Sequence, residues 1–314
     1  MYNLLIFTLY FALILTSIVG YGLYFLKLLK IKLDFINFGY AGLFGIYILI
    51  IYSYFSNLFI AHSEIHNLLV LFIGLILFFY SMKKKYILYK SEIIIFVIVF
   101  SLLFIAVIQF KNHDDFPYYH FPYTYYLTQQ SLYIGVGQFN HGFRTQSSIF
   151  YISSLFYLPY AKFYLFNFIS IFILGFANII LLNKLFKRSK FLFSKNTQKN
   201  FIYFLSLLSF IFINIFFYRM AEYGTDRAAM ILVFLFVIEL LKFLTSRIIK
   251  KNNLFTIYIF GALIISFKAF YILYCIFIPY LLPSPKRFLK FSICPGLTII
   301  KTSLIFANIK IESG

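Results

Sequence analysis

The sequence predicts an all-α fold, a polytopic bundle of about nine transmembrane helices. The 314-residue chain is 62% hydrophobic and only 12% charged, whereas about a quarter of the residues in a soluble domain are charged. Its mean hydropathy is +0.90. The apolar residues also fall into long blocks that short polar segments separate. These observations predict an integral membrane protein.

The apolar blocks can be assigned to spans in chain order. A helix needs about 20 residues, with a range of about 17 to 25, to cross a bilayer. The candidate spans are 4–26, 35–60, 68–82, 93–110, 163–182, 201–218 and 228–249. A final block, 254–282, contains Lys268 near its middle. This block fits either one long helix or a hairpin of two short helices.

The charged segments between the blocks predict the orientation. The basic segments are 27–32, 83–90, 184–199 and 242–251, and the acidic or balanced segments are 61–67, 111–148 and 219–227. The two kinds alternate, and basic loops stay in the cytoplasm. The chain is therefore expected in the cytoplasmic (inner) membrane with its N-terminus outside. Since the 286–290 tail is basic, 254–282 becomes a hairpin, which gives about nine crossings.

One transmembrane domain, residues 1–283, is predicted to be followed by a short tail, 284–314. The domain contains a large extracytoplasmic loop at 111–148. The composition changes after Pro283. The tail is therefore expected to be a truncated or aberrant end.

The stretch after this loop is predicted to contain an interfacial helix. Residues 149–182 are too many for one span, and Pro159 and Lys162 interrupt them. Residues 147–160 are therefore expected to lie as a helix along the outer membrane interface, before the span proper. The alternative is a single tilted and kinked helix.

The predicted topology collects the residues suited to chemistry on the extracytoplasmic side. All five histidines and five of the nine acidic residues lie there. These residues are His62, His66, His113, His120, His141, Glu64, Asp114, Asp115, Glu222 and Asp226. The cytoplasmic loops carry mainly lysine, so the net charge of +19 indicates membrane anchoring rather than nucleic-acid binding.

Asp114 and Asp115 form a carboxylate pair directly after a predicted span. Adjacent like charges at a membrane boundary repel each other. Such a pair favours a functional role, either as a general base or, with His113, as a site for a divalent ion. Arginines on the same face, such as Arg144 and Arg227, suit an anionic phosphate because the guanidinium can form two parallel hydrogen bonds.

Two neighbouring patterns each fit two kinds of structure. His62 and His66 stand four residues apart around Glu64, which fits either a solvated loop or a metal clip. The tyrosine-rich run "FPYYHFPYTYYL", residues 116–127, fits a site beside the acidic pair and is also typical of an aromatic belt at the membrane interface.

The acidic pair after a span, followed by aromatic sequence and further spans, resembles the C-superfamily of membrane glycosyltransferases. These polyprenyl-phosphate-sugar-dependent enzymes include the protein mannosyltransferases and the lipid A aminoarabinose transferases. The resemblance covers residues 93–283 and implies that Asp114 or Asp115 is the catalytic base. The implied donor-binding and phosphate-binding residues are His120, His141, Arg144, Arg227 and Lys268. A second external acidic site is implied at Glu222 and Asp226.

The resemblance implies an inverting sugar transfer from a polyprenyl-phosphate donor to an envelope glycan, lipid or protein acceptor. One aspartate would accept the proton of the acceptor hydroxyl, and basic groups or a divalent metal would stabilise the departing phosphate. Two other classes stay open, a transporter or channel and a non-catalytic polytopic protein. The expected partners are the bilayer, the lipid-linked sugar and its acceptor.

Overall fold

A computed structural model describes most of the chain. The described residues are 2–31, 37–83, 90–108, 113–144, 146–189, 197–216, 223–224, 226–244 and 251–277. Across these ranges the chain is helical and forms no strand, which confirms the predicted all-α class. The predicted tail, 284–314, and the predicted site residue Glu222 lie outside them.

The described part of the chain contains long helices and several short helical turns. The α-helices are α1 (Tyr2–Leu28), α2 (Phe38–Asn57), α3 (Glu64–Met82), α4 (Lys90–Ile108), α5 (Phe121–Gln129), α6 (Ser148–Ser154), α7 (Phe168–Ser189), α8 (Thr197–Phe216), α9 (Asp226–Leu244) and α10 (Lys251–Phe267). A π-helical turn, Phe116–His120, leads into α5, and a 3-10 helix, Ala269–Phe277, follows α10.

Among the described residues, four segments are long and apolar enough to cross a membrane. They are Leu4–Leu28, Phe38–Asn57, Glu64–Met82 and Phe163–Phe186. Three shorter apolar helices are Glu92–Ile108, Asn200–Ile215 and Asn253–Phe267. These helices support the predicted membrane protein. The nine crossings and their orientation stay predictions.

Small residues bring α1 and α2 into close contact. A Cβ atom at Gly22 would overlap the carbonyl oxygen of Ala41, and one at Gly45 would overlap the carbonyl oxygen of Ile18. In lipid the hydrophobic effect does not drive helices together, so helix pairs depend on close van der Waals contact between small residues. Gly22 and Gly45 therefore set the distance between these two helices.

Helix α7 is the centre of the bundle. Phe172 of α7 packs on Phe11 of α1 with the ring centroids 5.1 Å apart. Phe176 packs edge-on against Phe100 of α4 at 5.2 Å. Aromatic pairs in this geometry add about 0.5–1.5 kcal/mol beyond the area that they bury. A helix with apolar side chains on all sides is expected at such a central position.

The charged side chains that the structure describes gather at the two ends of the bundle. At one end the carboxylate of Glu239 is buried and pairs with Lys184 and with the hydroxyl of Tyr40, which joins α9, α7 and α2. We call this the lysine end. The opposite end contains the α2–α3 connection, the segment from 113 to 167 and the start of α9. It carries all five histidines, and we call it the histidine end.

The prediction of a helix over 147–160 is wrong in its extent. Helix α6 ends at Ser154, and all seven of its residues are buried within the protein. Pro159 follows, and Tyr160 and Lys162 have positive φ angles of 65° and 46°, which no α-helix accommodates. The alternative of one kinked helix is also wrong, since α7 begins separately at Phe168.

The last apolar block is broken at Lys268. Helix α10 ends at Phe267, and a 3-10 helix begins at Ala269. The hydroxyl of Ser147 donates to the carbonyl of Phe267 over 2.7 Å. This bond holds the break at the histidine end. It lies at the residue predicted as the tip of a hairpin.

Candidate functional site

The π-helical turn after α4 places Asp115 and Tyr119 side by side. The carbonyl of Asp115 accepts the N–H groups of Tyr118 and Tyr119, each over 3.2 Å. Pro117, near the start of the turn, has no N–H to satisfy. The hydroxyl of Tyr119 then donates to Oδ2 of Asp115 over 3.0 Å. The turn therefore holds one carboxylate oxygen in a fixed hydrogen bond.

The two members of the acidic pair have different surroundings. Nδ1 of His113 lies 3.7 Å from Oδ2 of Asp115 and accepts the backbone N–H of that residue over 3.1 Å. The Asp115 side chain is 46% exposed, so it contacts the protein and is still accessible from solvent. Asp114 is exposed. Of the two carboxylates, Asp115 is the one that hydrogen bonds hold in place.

The segment before α9 packs against this turn. Nδ1 of His120 donates to the carbonyl of Tyr223 over 3.2 Å. The hydroxyl of Tyr223 lies 2.7 Å from the hydroxyl of Thr124, and the tyrosine is completely buried. Two segments about 100 residues apart in sequence are thus joined by buried hydrogen bonds at the histidine end.

Asp226 and Lys268 form an ion pair beside the turn. Nζ of Lys268 lies 2.7 Å from Oδ1 of Asp226, and both side chains are partly exposed. Asp226 is the first residue of α9, where the helix dipole favours a negative charge. The charges of Asp115 and Asp226 both act on Tyr119 and on His120. The structure therefore brings four predicted site residues together, namely Asp115, His120, Asp226 and Lys268.

The two aromatic groups on which these carboxylates act, Tyr119 and His120, are uncharged near neutral pH. Burial, the hydrogen bond to Asp115 and the charges of both carboxylates raise the pKa of Tyr119 to about 12. Burial lowers the pKa of His120 to about 4. Both groups therefore act as neutral hydrogen-bond donors, and Lys268 supplies a positive charge next to Asp226.

Three other predicted residues lie at the same end of the bundle. His141 and Arg144 are exposed on the loop between α5 and α6, and Nε of Arg144 donates to the carbonyl of Gly137 over 3.2 Å. That loop touches the cluster at Gly142, where a Cβ atom would overlap the ring of Tyr119. Arg227 is partly buried in the first turn of α9.

His62 belongs to the interior of the protein, so both predictions for it, the solvated loop and the metal clip, are wrong. It is completely buried, and its two ring nitrogens form hydrogen bonds with Ser56 over 2.9 Å and with Ser154 over 2.6 Å. Asn67 donates to the carbonyls of His62 and Ser154, each over 2.8 Å. This network ties α2, α3 and α6 together. The ring has no nitrogen left for a metal.

A metal site is not assembled in the part of the chain that the structure describes. No three His, Cys, Asp or Glu side chains there are grouped so that they could hold an ion. His113 and Asp115 are close to each other, but the exposed Asp114 does not complete a set with them. The divalent ion predicted at these three residues has no ligand set among the described residues.

Sequence reasoning missed Tyr119, Thr124 and Tyr223 as parts of the site. The tyrosine-rich run is typical of an interfacial belt, yet Tyr119 stands four residues after Asp115, the spacing at which side chains meet on one helix face. That spacing was a usable signal for this pair. Nothing local pointed to Tyr223, because its contacts are far apart in sequence.

Comparison with known proteins gives one result. The family model described as "Domain of unknown function (DUF8201)" matches residues 4–311. No curated protein and no solved structure matches the chain. Because the family match extends over almost all of the sequence, the chain belongs to the DUF8201 family.

Proposed function

We propose that this protein is an inverting membrane glycosyltransferase. It would move a sugar from a polyprenyl-phosphate donor to an envelope glycan, lipid or protein acceptor on the extracytoplasmic face. The observation that carries the proposal is the meeting of the Asp115–Tyr119 pair with the Asp226–Lys268 pair around His120. A carboxylate and a cation held next to each other at the end of a membrane bundle suit a substrate with a hydroxyl, a sugar and a lipid phosphate.

Asp115 is the proposed general base. One of its oxygens is occupied by the Tyr119 hydroxyl, and the other is available to an acceptor hydroxyl. As the acceptor oxygen forms its bond to the anomeric carbon, its proton passes to Asp115. The bond from that carbon to the phosphate oxygen breaks, and the electron pair leaves with the phosphate. Positioned base catalysis of this kind contributes about 10²–10⁴-fold.

Lys268 is the proposed partner of the departing phosphate. Its ammonium group pairs with Asp226, and the Lys268 side chain is 43% exposed. An incoming phosphate can therefore share the ammonium group with Asp226. A positive charge near the leaving oxygen stabilises the charge that develops there. His141, Arg144 and Arg227 are further candidates for the donor at the rim of the same end.

The membrane orientation is part of this proposal. We place the lysine end in the cytoplasm and the histidine end outside, with about nine crossings. The separation of the two ends supports this assignment, because Lys27 and Lys184 lie at one end while the histidines lie at the other. The membrane would be the cytoplasmic (inner) membrane.

A transporter is the second candidate, and one observation favours it. Glu239 and Lys184 are charged groups among membrane helices, and such groups often mark ion pathways. Glu239 is, however, already engaged by Lys184, by Lys242 at 3.5 Å and by Tyr40. A carboxylate with these partners is better explained as a link between α2, α7 and α9.

A transfer assay tests the proposed function. The protein, reconstituted in lipid nanodiscs, is given a panel of polyprenyl-phosphate sugars with labelled sugar, and an envelope extract supplies acceptors. We expect label in the acceptor fraction and an equal amount of polyprenyl phosphate. A matched preparation of Asp115→Asn should not transfer label. A folded wild-type protein that consumes no donor, or an Asp115→Asn variant as active as wild type, would overturn the proposal.

A further inference from the structure

The segment between α5 and α6, residues 131–144, exposes apolar side chains to an unusual degree. We call it the 131–144 loop. Ile134 is 106% exposed and Phe139 is 89% exposed, the highest values among the large apolar side chains that the structure describes. Tyr133 is exposed beside them. Apolar surface left in water is unfavourable, so a cluster of this kind indicates a contact surface.

Hydrogen bonds hold the loop in the conformation that presents these side chains. The N–H of Leu132 donates to the carbonyl of Asn57 over 2.9 Å, and the N–H of Tyr133 donates to the hydroxyl of Tyr126 over 3.1 Å. Gly135 has a φ of 94°, which glycine adopts without a steric penalty. The exposure of Ile134 is therefore built into the fold.

The loop continues the lipid-facing surface of a membrane helix. Asn57, which accepts the bond from Leu132, is the last residue of α2, one of the helices long enough to cross a membrane. Phe55 and Phe59 are exposed on either side of Asn57, with their rings 5.4 Å apart. Since the exposed side chains of a spanning helix face lipid, the loop begins at the level where α2 leaves the bilayer.

The charge of the loop fits the same environment. The 131–144 loop contains no acidic residue, and His141 and Arg144 are exposed on it. Basic side chains are attracted to lipid phosphate groups. Tyrosine and phenylalanine prefer the boundary between headgroups and acyl chains.

We infer that the 131–144 loop inserts its apolar tip, Ile134 and Phe139, into the lipid leaflet at the histidine end. This inference goes beyond the proposed function and holds whether or not the protein transfers sugar. It assigns the interfacial role to this loop instead of the buried α6. Because Gly142 of the loop packs on Tyr119, the candidate site lies directly beside the lipid surface.

Tryptophan fluorescence tests the insertion. The chain has no tryptophan, so Ile134→Trp and Phe139→Trp each give a single reporter at a position that is already exposed. Two further variants set the scale. Phe72→Trp, on the exposed face of α3, reports lipid, and Asp114→Trp, on the exposed turn, reports water. Each protein is placed in phosphatidylcholine–phosphatidylglycerol nanodiscs, with or without brominated acyl chains.

Brominated lipid should quench Phe139→Trp and Ile134→Trp at least about twofold, as expected for side chains about 5–10 Å inside the headgroup boundary. Iodide in the buffer should quench both less than it quenches Asp114→Trp. Quenching by iodide alone would place the loop in water and overturn the inference. Quenching by neither agent would mean that another protein surface, such as a second copy, covers the loop. That result would overturn it as well.

Discussion

Replacement of Asp115 by asparagine tests the proposed base while it preserves the structure around the residue. Asparagine has nearly the same size as aspartate. Its carbonyl oxygen can still accept a hydrogen bond from the Tyr119 hydroxyl, which in the wild-type protein lies 3.0 Å from Oδ2 of Asp115. It cannot take up a proton at neutral pH. The 113–120 turn should therefore keep its shape and lose only the base.

The expected loss follows from the role assigned to the carboxylate. Removal of a positioned base costs about 10²–10⁴-fold in rate, which corresponds to about 3–5 kcal/mol of transition-state stabilisation. The donor is held mainly through Lys268 and the lipid tail in this proposal. The decrease should therefore appear in kcat, and KM for the polyprenyl-phosphate sugar should change little.

Asp114 provides a matched control one residue away. Its side chain is exposed, so Asp114→Asn removes the same charge from the same turn without touching the Tyr119 hydrogen bond. We expect less than about a threefold change, since a solvated charge contributes little. Loss of activity in Asp114→Asn with retention in Asp115→Asn would refute the assignment, and so would full activity in both. Thermal unfolding of each purified variant checks that the protein is folded.

Three further predictions concern stability and orientation. Burial lowers the pKa of His120 to about 4, below its ordinary value of 6.5. The stability that depends on neutral His120 is therefore fully present above about pH 6.5 and is lost as the pH falls towards 4. The unfolding temperature in detergent should decrease over this range, and a flat profile would contradict the prediction. Glu239→Ala should lower stability by up to about 3–5 kcal/mol, because Lys184, whose side chain is only 19% exposed, loses its partner. The double variant with Lys184→Met should recover most of the loss in the same thermal assay, and an unaffected single variant would show that the pair does not hold the helices together. In a background without the native cysteines, an impermeant thiol reagent added outside cells should label Gln130→Cys and not Lys83→Cys, and the reverse pattern would invert the proposed orientation.

The sequence was sufficient to predict the longest apolar helices because lipid imposes a simple rule on a spanning segment. A spanning segment must be apolar over a fixed length and must satisfy its own backbone hydrogen bonds. The predicted span 4–26 corresponds to Tyr2–Leu28, and the predicted span 35–60 corresponds to Phe38–Asn57. The break at Lys268 was also predictable, because a charge in the middle of an apolar block is costly there.

Helix α6 is a segment whose position this rule does not predict. The run "SSIFYISS", residues 147–154, has the apolar content of an interfacial helix, but the structure buries it between α2, α5 and α7. Periodicity cannot distinguish a helix that faces lipid from one that faces other helices. The four serines in this run, all buried, indicate close packing. Ser154 also forms the hydrogen bond with His62.

The grouping of the candidate residues at one end was predicted in outline and not in detail. Charge alternation placed the acidic and histidine residues at one end, but it could not choose between Asp114 and Asp115. That choice depends on the π-helical turn, which directs one carboxylate to Tyr119 and leaves the other exposed. The contact between His120 and Tyr223 is also long-range, and a single sequence contains no signal for it.

Binding of polyprenyl phosphate to the histidine end is the most direct measurement of the proposed function. Native mass spectrometry of the purified protein can compare polyprenyl phosphate with phosphatidylglycerol as competitor. We expect one polyprenyl phosphate per protein and a decrease in affinity of roughly 10- to 100-fold in Lys268→Ala, the usual effect of losing a hydrogen bond to a charged group. Lys83→Ala, an exposed lysine at the opposite end, should bind as the wild type does. No preference for polyprenyl phosphate, or an equal loss in both lysine variants, would contradict a lipid-phosphate site at the histidine end.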